Sequence, residues 1–278
     1  MRVLACAKVN LALGVTGRRA DGYHELSTLM HTVGDLYDIV DVEPHEGVDV
    51  GFDSRGSGIP RDNTVTRAVE AFMRASGCPG ARVRVAKRIP ERAGLGGGSA
   101  DAGAVLRALS AMYGGVSEAE MLRIAESIGA DVPFAYAGGA ALCTGKGERM
   151  ARLEHRHLPL LIVKAAGGIS TAELFGRLTL PAMPVDSAAA ASAYERGALI
   201  ELAWAMRNAL EPLAAALEPD IAALKEELFE CGAIGACMTG SGSAVVGLFP
   251  DFDAVSQARS AMAGHSFVHA CRAVVPVQ

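Results

Sequence analysis

The sequence predicts an α+β protein of two domains, and three observations carry that prediction. The chain has 278 residues, enough for two domains of ordinary size, and half of them are hydrophobic, enough for sizeable cores. Strand-like alternation and helix-like apolar stripes succeed one another from end to end. A polar stretch over residues 149–157 separates two such runs, so the domains are expected at 1–153 and 154–278.

The first half opens with residues 2–16 as a strand or hairpin. Strands at 38–43 and 48–52 and a Gly- and Ser-rich loop at 53–61 follow. Asp62-Asn63 then starts a helix whose apolar face is Val65, Ala68, Val69, Phe72 and Met73, and Gly77 stops it. Residues 81–88 alternate, Val83 and Val85 against Arg82 and Arg84, as a strand with one wet face does. Beyond Pro90 and a run of glycines comes a helix with Ala102, Val105, Leu106, Leu109 and Tyr113 on one stripe. Ser117 and Glu120 have capping-box spacing for the next helix, Gly129 ends it, and residues 140–143 close the half as a short strand.

The second half reads as a strand at 160–164, a short helix at 171–178 and an alanine-rich loop at 181–193. Two longer helices, 198–217 and 219–231, come next. A strand (234–238), a tight turn (239–243), a strand (244–249), a helix (252–262) and a strand (268–274) complete the chain. That order suggests a sandwich of ferredoxin type.

The net charge of −5, from 26 basic and 31 acidic residues, argues against a nucleic-acid partner, which asks for a basic face. It leaves room for a local anion site, because backbone amides can supply positive potential. Cys6, Cys78, Cys143, Cys231, Cys237 and Cys271 form no Cys-x-x-Cys pair, and no His pair stands at zinc spacing, so no metal cluster is expected. Four of these cysteines lie in apolar runs, as buried thiols of a reducing compartment do. Lys8 and Asn10 interrupt the apolar start, which argues against a signal peptide, and no segment reaches the roughly 20 apolar residues of a spanning helix. A cytoplasmic protein without a membrane partner is the expectation.

The chemistry concentrates at Gly94-Leu95-Gly96-Gly97-Gly98-Ser99. Consecutive glycines allow positive φ and close approach of a ligand to the backbone. The helix that follows turns its orphan amides and the positive end of its dipole toward them, which makes an anion-binding concavity. The segment is no P-loop, because Gly98-Ser99-Ala100 replaces Gly-Lys-Ser/Thr, and no dinucleotide fingerprint, because position 99 is Ser.

Pro90, Gly94, Leu95, Gly96, Gly97, Gly98, Ser99 and Ala100 together resemble the ATP-binding motif of the GHMP kinases, the superfamily of galactose, homoserine and mevalonate kinases. Further segments stand in family order: residues 7–26 (AKVNLALGVTGRRADGYHEL), 62–65, 129–134 (GADVPF), 169–175 (ISTAELF) and 239–243 (TGSGS). Within the superfamily they resemble the branch that acts on a diphosphocytidyl-methylerythritol of the non-mevalonate isoprenoid pathway. The resemblance implies a ribosomal-S5-domain-2-like N-terminal domain, a ferredoxin-like C-terminal domain and a cleft between them. It also implies ATP, Mg²⁺ and transfer of the γ-phosphoryl group to the 2-hydroxyl of the methylerythritol moiety. Met30, Ala166, Ala209 and Ser243 depart from the usual residues of the branch.

By the same resemblance Asp131 is the catalytic carboxylate, Lys8 its cation, and Asn10 the residue that holds substrate or Lys8. Ser99 offers a hydroxyl to the magnesium-phosphate group. Lys87, Asn63 and Thr64 line the nucleotide pocket. Tyr23 and Phe175 sandwich the cytosine base, His24 reads its polar edge, and Gly240 and Ser241 meet phosphates or brace the glycine loop. Taken alone, Asp131 reads as a turn or helix-start residue, Asn63 as a helix cap and 239–243 as a hairpin turn. Two rival functions remain on the residues. A homoserine or mevalonate type kinase would not need Tyr23 and His24, and a noncatalytic sensor could lose Lys8 or Asp131, both of which are present.

Overall fold

The computed structural model of the protein describes residues 1–53 and 62–271. The expected loop at 53–61 and the last residues of the expected strand at 268–274 lie largely outside them. Six strands build the first sheet: β1 (Arg2–Arg18), β2 (His24–Pro44), β3 (Gly47–Asp53), β4 (Gly80–Ala86), β5 (Ala140–Gly145) and β6 (Arg149–Leu153). Their order is β3-β4-β2-β5-β6, with β1 paired to β2. Four strands build the second sheet, in the order β10-β7-β9-β8: β7 (Leu160–Lys164), β8 (Gly235–Met238), β9 (Ala244–Leu248) and β10 (Val268–Ala270).

Helices α1 (Thr64–Ser76), α2 (Gly97–Tyr113), α3 (Glu118–Ile128) and α4 (Val132–Ala137) belong to the first half. They bury Val65, Val69, Phe72, Val105, Leu109 and Met121 in one core with the apolar side chains of β1 and β2. The caps follow the expected chemistry, since Asn63 accepts from Val65 and Thr66 and the Ser117 side chain accepts from Glu120. The second half holds α5 (Thr171–Arg177), α6 (Ser187–Arg196), α7 (Leu199–Ala205), α8 (Glu211–Leu217), α9 (Asp220–Glu230) and α10 (Phe252–Ala261). Among them α9 and α10 pack Leu224, Leu228 and Val255 against Leu161, Val163 and Val245 of the second sheet. Leu13 and Val15 of β1 belong to this second core, so the strand that carries Lys8 passes from one core to the other.

Four expectations are corrected. Residues 24–37 were not read as a strand, yet β2 runs unbroken through them. Its segment 28–33 is buried on both faces, which erases the alternation that announces a strand. The polar stretch at 149–157, where no strand was expected, holds β6, which pairs with β5 as an edge strand, where polar side chains face water. The alanine-rich loop at 181–193 contains most of α6, which Asp186 caps and Gly197 ends in the left-handed conformation. The long helix at 198–217 is two helices. Between them Asn208 bridges Leu13 and donates to the Met238 and Gly240 carbonyls, tertiary bonds that outweigh continued helix. Among the described residues no helix is long and apolar enough to cross a membrane.

Candidate active site

The glycine run forms a tight loop whose shape two positions require. Gly94 and Gly96 have φ of 74° and 72°, in the left-handed region that side chains disfavour. A Cβ on Gly94 would stand 2.0 Å from the Thr239 carbonyl oxygen, and one on Gly96 3.0 Å from the Lys8 side chain. The loop is therefore pressed against the 239–243 turn on one side and β1 on the other. Main-chain bonds hold it there: Ser243 and Ala244 donate to Arg92 and Ala93, and Lys8 donates to Leu95. Thr64 Oγ1 donates to the Gly98 carbonyl at 2.7 Å. The N-terminus of α2 receives no side-chain cap, so its first amides remain available to an anion.

Lys8 extends from β1 beside this loop. Its Nζ donates to Asn10 Oδ1 at 2.6 Å and lies 3.3 Å from Asp131 Oδ2. Asn10 is held in turn, donating from Nδ2 to Thr28 Oγ1 and from its backbone to Thr239 Oγ1, both at 2.8 Å. The Lys8 side chain is 9% exposed and that of Asp131 30%. Asp131 occupies the cap position of α4, but its carboxylate makes no capping hydrogen bond. The helix-start reading of Asp131 therefore accounts for its backbone and leaves its side chain directed elsewhere, to Lys8.

A cavity of about 880 Å³ runs from the glycine loop past this pair. Pro90, the run Gly94–Ser99, Lys87, Thr64, Lys8, Asn10 and Asp131 line it, as do Gly240 and Ser241. Ala100 lies beneath the loop, on a smaller cavity of about 50 Å³ that Ser99, Lys8 and Asp131 also line. Asn63 caps α1 and is not among the lining residues. Lys87 reaches the wall, but its ammonium is shared between Asp38 and, at 2.7 Å, Asp101. Burial would lower the Lys87 pKa, and the two carboxylates outweigh it and raise it.

The far end of the cavity is lined by Tyr23, His24 and Phe175. Tyr23 is 58% exposed, with the Lys146 ammonium 5.6 Å from its ring centre. The His24 and Phe175 rings lie 5.1 Å apart, inclined by 31°. Burial, with Arg18 nearby, lowers the His24 pKa, so its imidazole is neutral near pH 7, with one ring nitrogen donating and one accepting. Ser241 and Thr171 share a 2.7 Å hydrogen bond across the mouth.

The sequence reading missed Lys146, Arg92, Thr171 and the partners of Lys87, Asp38 and Asp101. Lys146 carried a signal, one of five lysines and set between Gly145 and Gly147. Asp38 carried none, being one acid inside an apolar strand whose partner is 49 residues away. Outside the cavity lining, Asp35, His269 and Cys271 each bring a potential ligand atom within 4.8 Å of the others, a grouping their spacing in sequence does not announce.

Comparison with known proteins bears on this geometry. The family model of the GHMP kinases N terminal domain matches residues 63–139, and that of the GHMP kinases C terminal matches residues 187–267. A 4-diphosphocytidyl-2-C-methyl-D-erythritol kinase of Pelotomaculum thermopropionicum is 41% identical over 261 residues, 91% of each chain. One of Syntrophomonas wolfei is 41% identical over 262 residues, 92% of this chain and 91% of the relative. Among solved structures, a 4-(cytidine 5'-diphospho)-2C-methyl-D-erythritol kinase superposes with a TM-score of 0.82 at 35% identity, covering 97% of this chain and 98% of that one. A homoserine kinase from Cytophaga hutchinsonii, at 18% identity and a TM-score of 0.73, shares the fold.

Proposed function

The chain belongs to the GHMP kinases, ATP-dependent phosphotransferases, and from that premise we propose that it phosphorylates 4-diphosphocytidyl-2-C-methyl-D-erythritol on its 2-hydroxyl. One observation carries the chemistry: a lysine and an uncapped aspartate 3.3 Å apart, beside a glycine loop, in one continuous cavity. ATP enters with its phosphates on the loop, where the amides of Gly96, Gly97, Gly98 and Ser99 meet them. Thr64 and Lys87 form the nucleotide side of the cavity, Asn63 acting from behind as the cap of α1.

The acceptor hydroxyl lies between Asp131 and the γ-phosphorus. Its oxygen bonds to phosphorus as the bond from phosphorus to the β,γ-bridging oxygen breaks, ADP leaves, and the hydroxyl proton passes to Asp131. Phosphoryl transfer through a loose transition state needs little prior deprotonation, so orientation and charge supply most of the rate. Lys8, fixed by Asn10, stabilises the charge that grows on the transferring group. Mg²⁺ fits the hydroxyl of Ser99, a hard oxygen at the phosphate loop, which leaves Asp131 to the acceptor hydroxyl. When bound it would neutralise charge on the β- and γ-phosphates.

The cytidine end of the substrate occupies the wall made by Tyr23, His24 and Phe175, where the rings offer stacking and His24 a hydrogen bond to the base edge. Stacking on a base contributes roughly 1–3 kcal/mol in nucleic-acid complexes. Gly240 and Ser241 brace the loop from the other side, since a Cβ on Gly240 would meet the Gly94 carbonyl at 2.8 Å. The six free thiols suit a cytoplasmic enzyme. ADP release measured with ATP and, side by side, the diphosphocytidyl alcohol, homoserine and mevalonate tests the reading. Turnover is expected with the first alone; preference for either of the others overturns the substrate assignment.

A further inference from the structure

Arg107 connects the three elements that carry the reacting groups. It stands on α2, the helix that begins in the glycine loop, and its guanidinium leaves that helix in two directions. Nη1 donates to the Ala135 carbonyl at 2.6 Å and the Tyr136 carbonyl at 3.2 Å, in the last turn of α4, whose cap residue is Asp131. Nη2 donates to the Leu4 carbonyl at 3.0 Å, on β1, four residues before Lys8. Among the described residues its partners are carbonyls rather than a carboxylate. A half-buried cation is thus spent wholly on fixing backbone.

A second observation points to the same junction. Gly103 lies one turn before Arg107, and a Cβ there would stand 2.7 Å from Ala135 C and Tyr136 N. At that point α2 and α4 touch backbone to backbone, and Arg107 locks the contact. The cavity of about 50 Å³ between these elements is lined by Arg107, Lys8, Ser99 and Asp131. From α2, Arg107 thus bonds to both α4 and β1, beside the Lys8–Asp131 pair that joins the same two elements.

We propose that Arg107 is a positioning residue for phosphoryl transfer: it ties α4 and β1 to α2, so that Asp131 and Lys8 meet the phosphate loop at a set separation. The proposal rests on the kinase reading above. Misplacing a reacting group by about 1 Å can cost about 10²-fold in rate. The planar fork of Arg serves three carbonyls at once, which a Lys ammonium on a flexible stem can do only in part.

The test uses the full chain with Arg107→Met, Arg107→Lys and, independently, Gly103→Ala, which pushes α4 from α2 without removing the charge. Each variant is first shown to be folded by circular dichroism at the assay temperature. Rates are read on whichever acceptor alcohol the unsubstituted protein phosphorylates, so a wrong acceptor sinks the function reading and not this one. Arg107→Met is expected to lower kcat by roughly 30- to 100-fold with both KM values within about threefold, Arg107→Lys to recover part of the loss, and Gly103→Ala to repeat the split. A folded Arg107→Met with kcat within about twofold of the unsubstituted protein overturns the proposal. So does a loss spread over kcat and both KM values, which marks general loosening. Should Arg107→Met not fold, Arg107→Lys and Gly103→Ala decide by the same two criteria.

Discussion

Lys8 and Lys87 both stand beside the glycine loop, and on the proposed mechanism the difference between them separates chemistry from architecture. Lys8 has one amide oxygen and one carboxylate, and that carboxylate is 30% exposed at a cavity wall. Lys87 has two carboxylates, Asp38 and Asp101, whose side chains are 0% and 2% exposed. Asp38 also accepts the backbone amides of Arg88 and Ile89, so it holds the strand that leads into the loop. Burial, with Asp38 beside it, pushes the Asp101 carboxyl up against the pull of Lys87. An ammonium with an incomplete, half-wet set of partners can exchange one for an incoming phosphate. One enclosed by two dry carboxylates cannot, because each exchange would strand a buried charge.

That contrast can be broken at its strongest point first. Asp131→Asn is expected to lower kcat by about 10²–10⁴-fold while leaving ATP affinity, measured by fluorescent-nucleotide displacement, within a few-fold. Near-normal turnover would remove Asp131 from the reaction and leave Lys8 no different in kind from Lys87. Asp38→Ala should do the opposite. It leaves Lys87 short of a partner and two amides orphaned, and is expected to cost about 3–5 kcal/mol of stability in urea unfolding, with turnover per folded molecule nearly kept. A stable Asp38→Ala protein with collapsed kcat would move the Lys87 cluster into the chemistry.

A smaller effect sharpens the comparison with a group that carries no charge at all. His31, on β2 under the same core, stacks on His155 at 4.7 Å and meets Tyr194 Oη at 3.3 Å. Burial, with His155 and His157 nearby, lowers its pKa to about 3. The unfolded chain takes up a proton near pH 6.5 that the folded one refuses until about pH 3. The His31 contribution is therefore intact above about pH 6.5 and declines as pH falls toward 3, by about 2–3 kcal/mol between about pH 6.5 and about pH 4.5. Urea midpoints of the unsubstituted protein and His31→Asn across that range check it, the variant being expected to show the shallower slope.

Much of the frame was readable from local pattern. Three of the four helices of the first half announced themselves by stripe and cap, Asn63 and Gly77 for one, Ser117 and Gly129 for another, whereas the six-residue α4 is too short to show a stripe. The turn at 239–243 and its flanking strands were visible for the same reason. Where a segment answers to distant partners, pattern failed. The strand through residues 24–37 hides its period because both faces are covered, and the break at 206–210 exists because Asn208 binds a turn 30 and 32 residues ahead. Asp186 and Gly197 did bracket α6 in the sequence, a signal outweighed by the run of small residues between Pro181 and Ala193.

By itself the sequence determined the glycine loop, because glycines at 94 and 96 and a helix start are local properties that no distant residue needs to supply, while the kinase chemistry around it was implied by the resemblance to the GHMP kinases. Only the tertiary structure shows how differently Lys8 and Lys87 are surrounded, the contrast on which the proposed choice of reacting lysine rests. That choice depends on how many carboxylates surround each ammonium and how dry they are, and residues 14, 49 and 123 positions apart in the chain set it. Local pattern is written in neighbours, whereas the electrostatics of a site is written in what folding brings together.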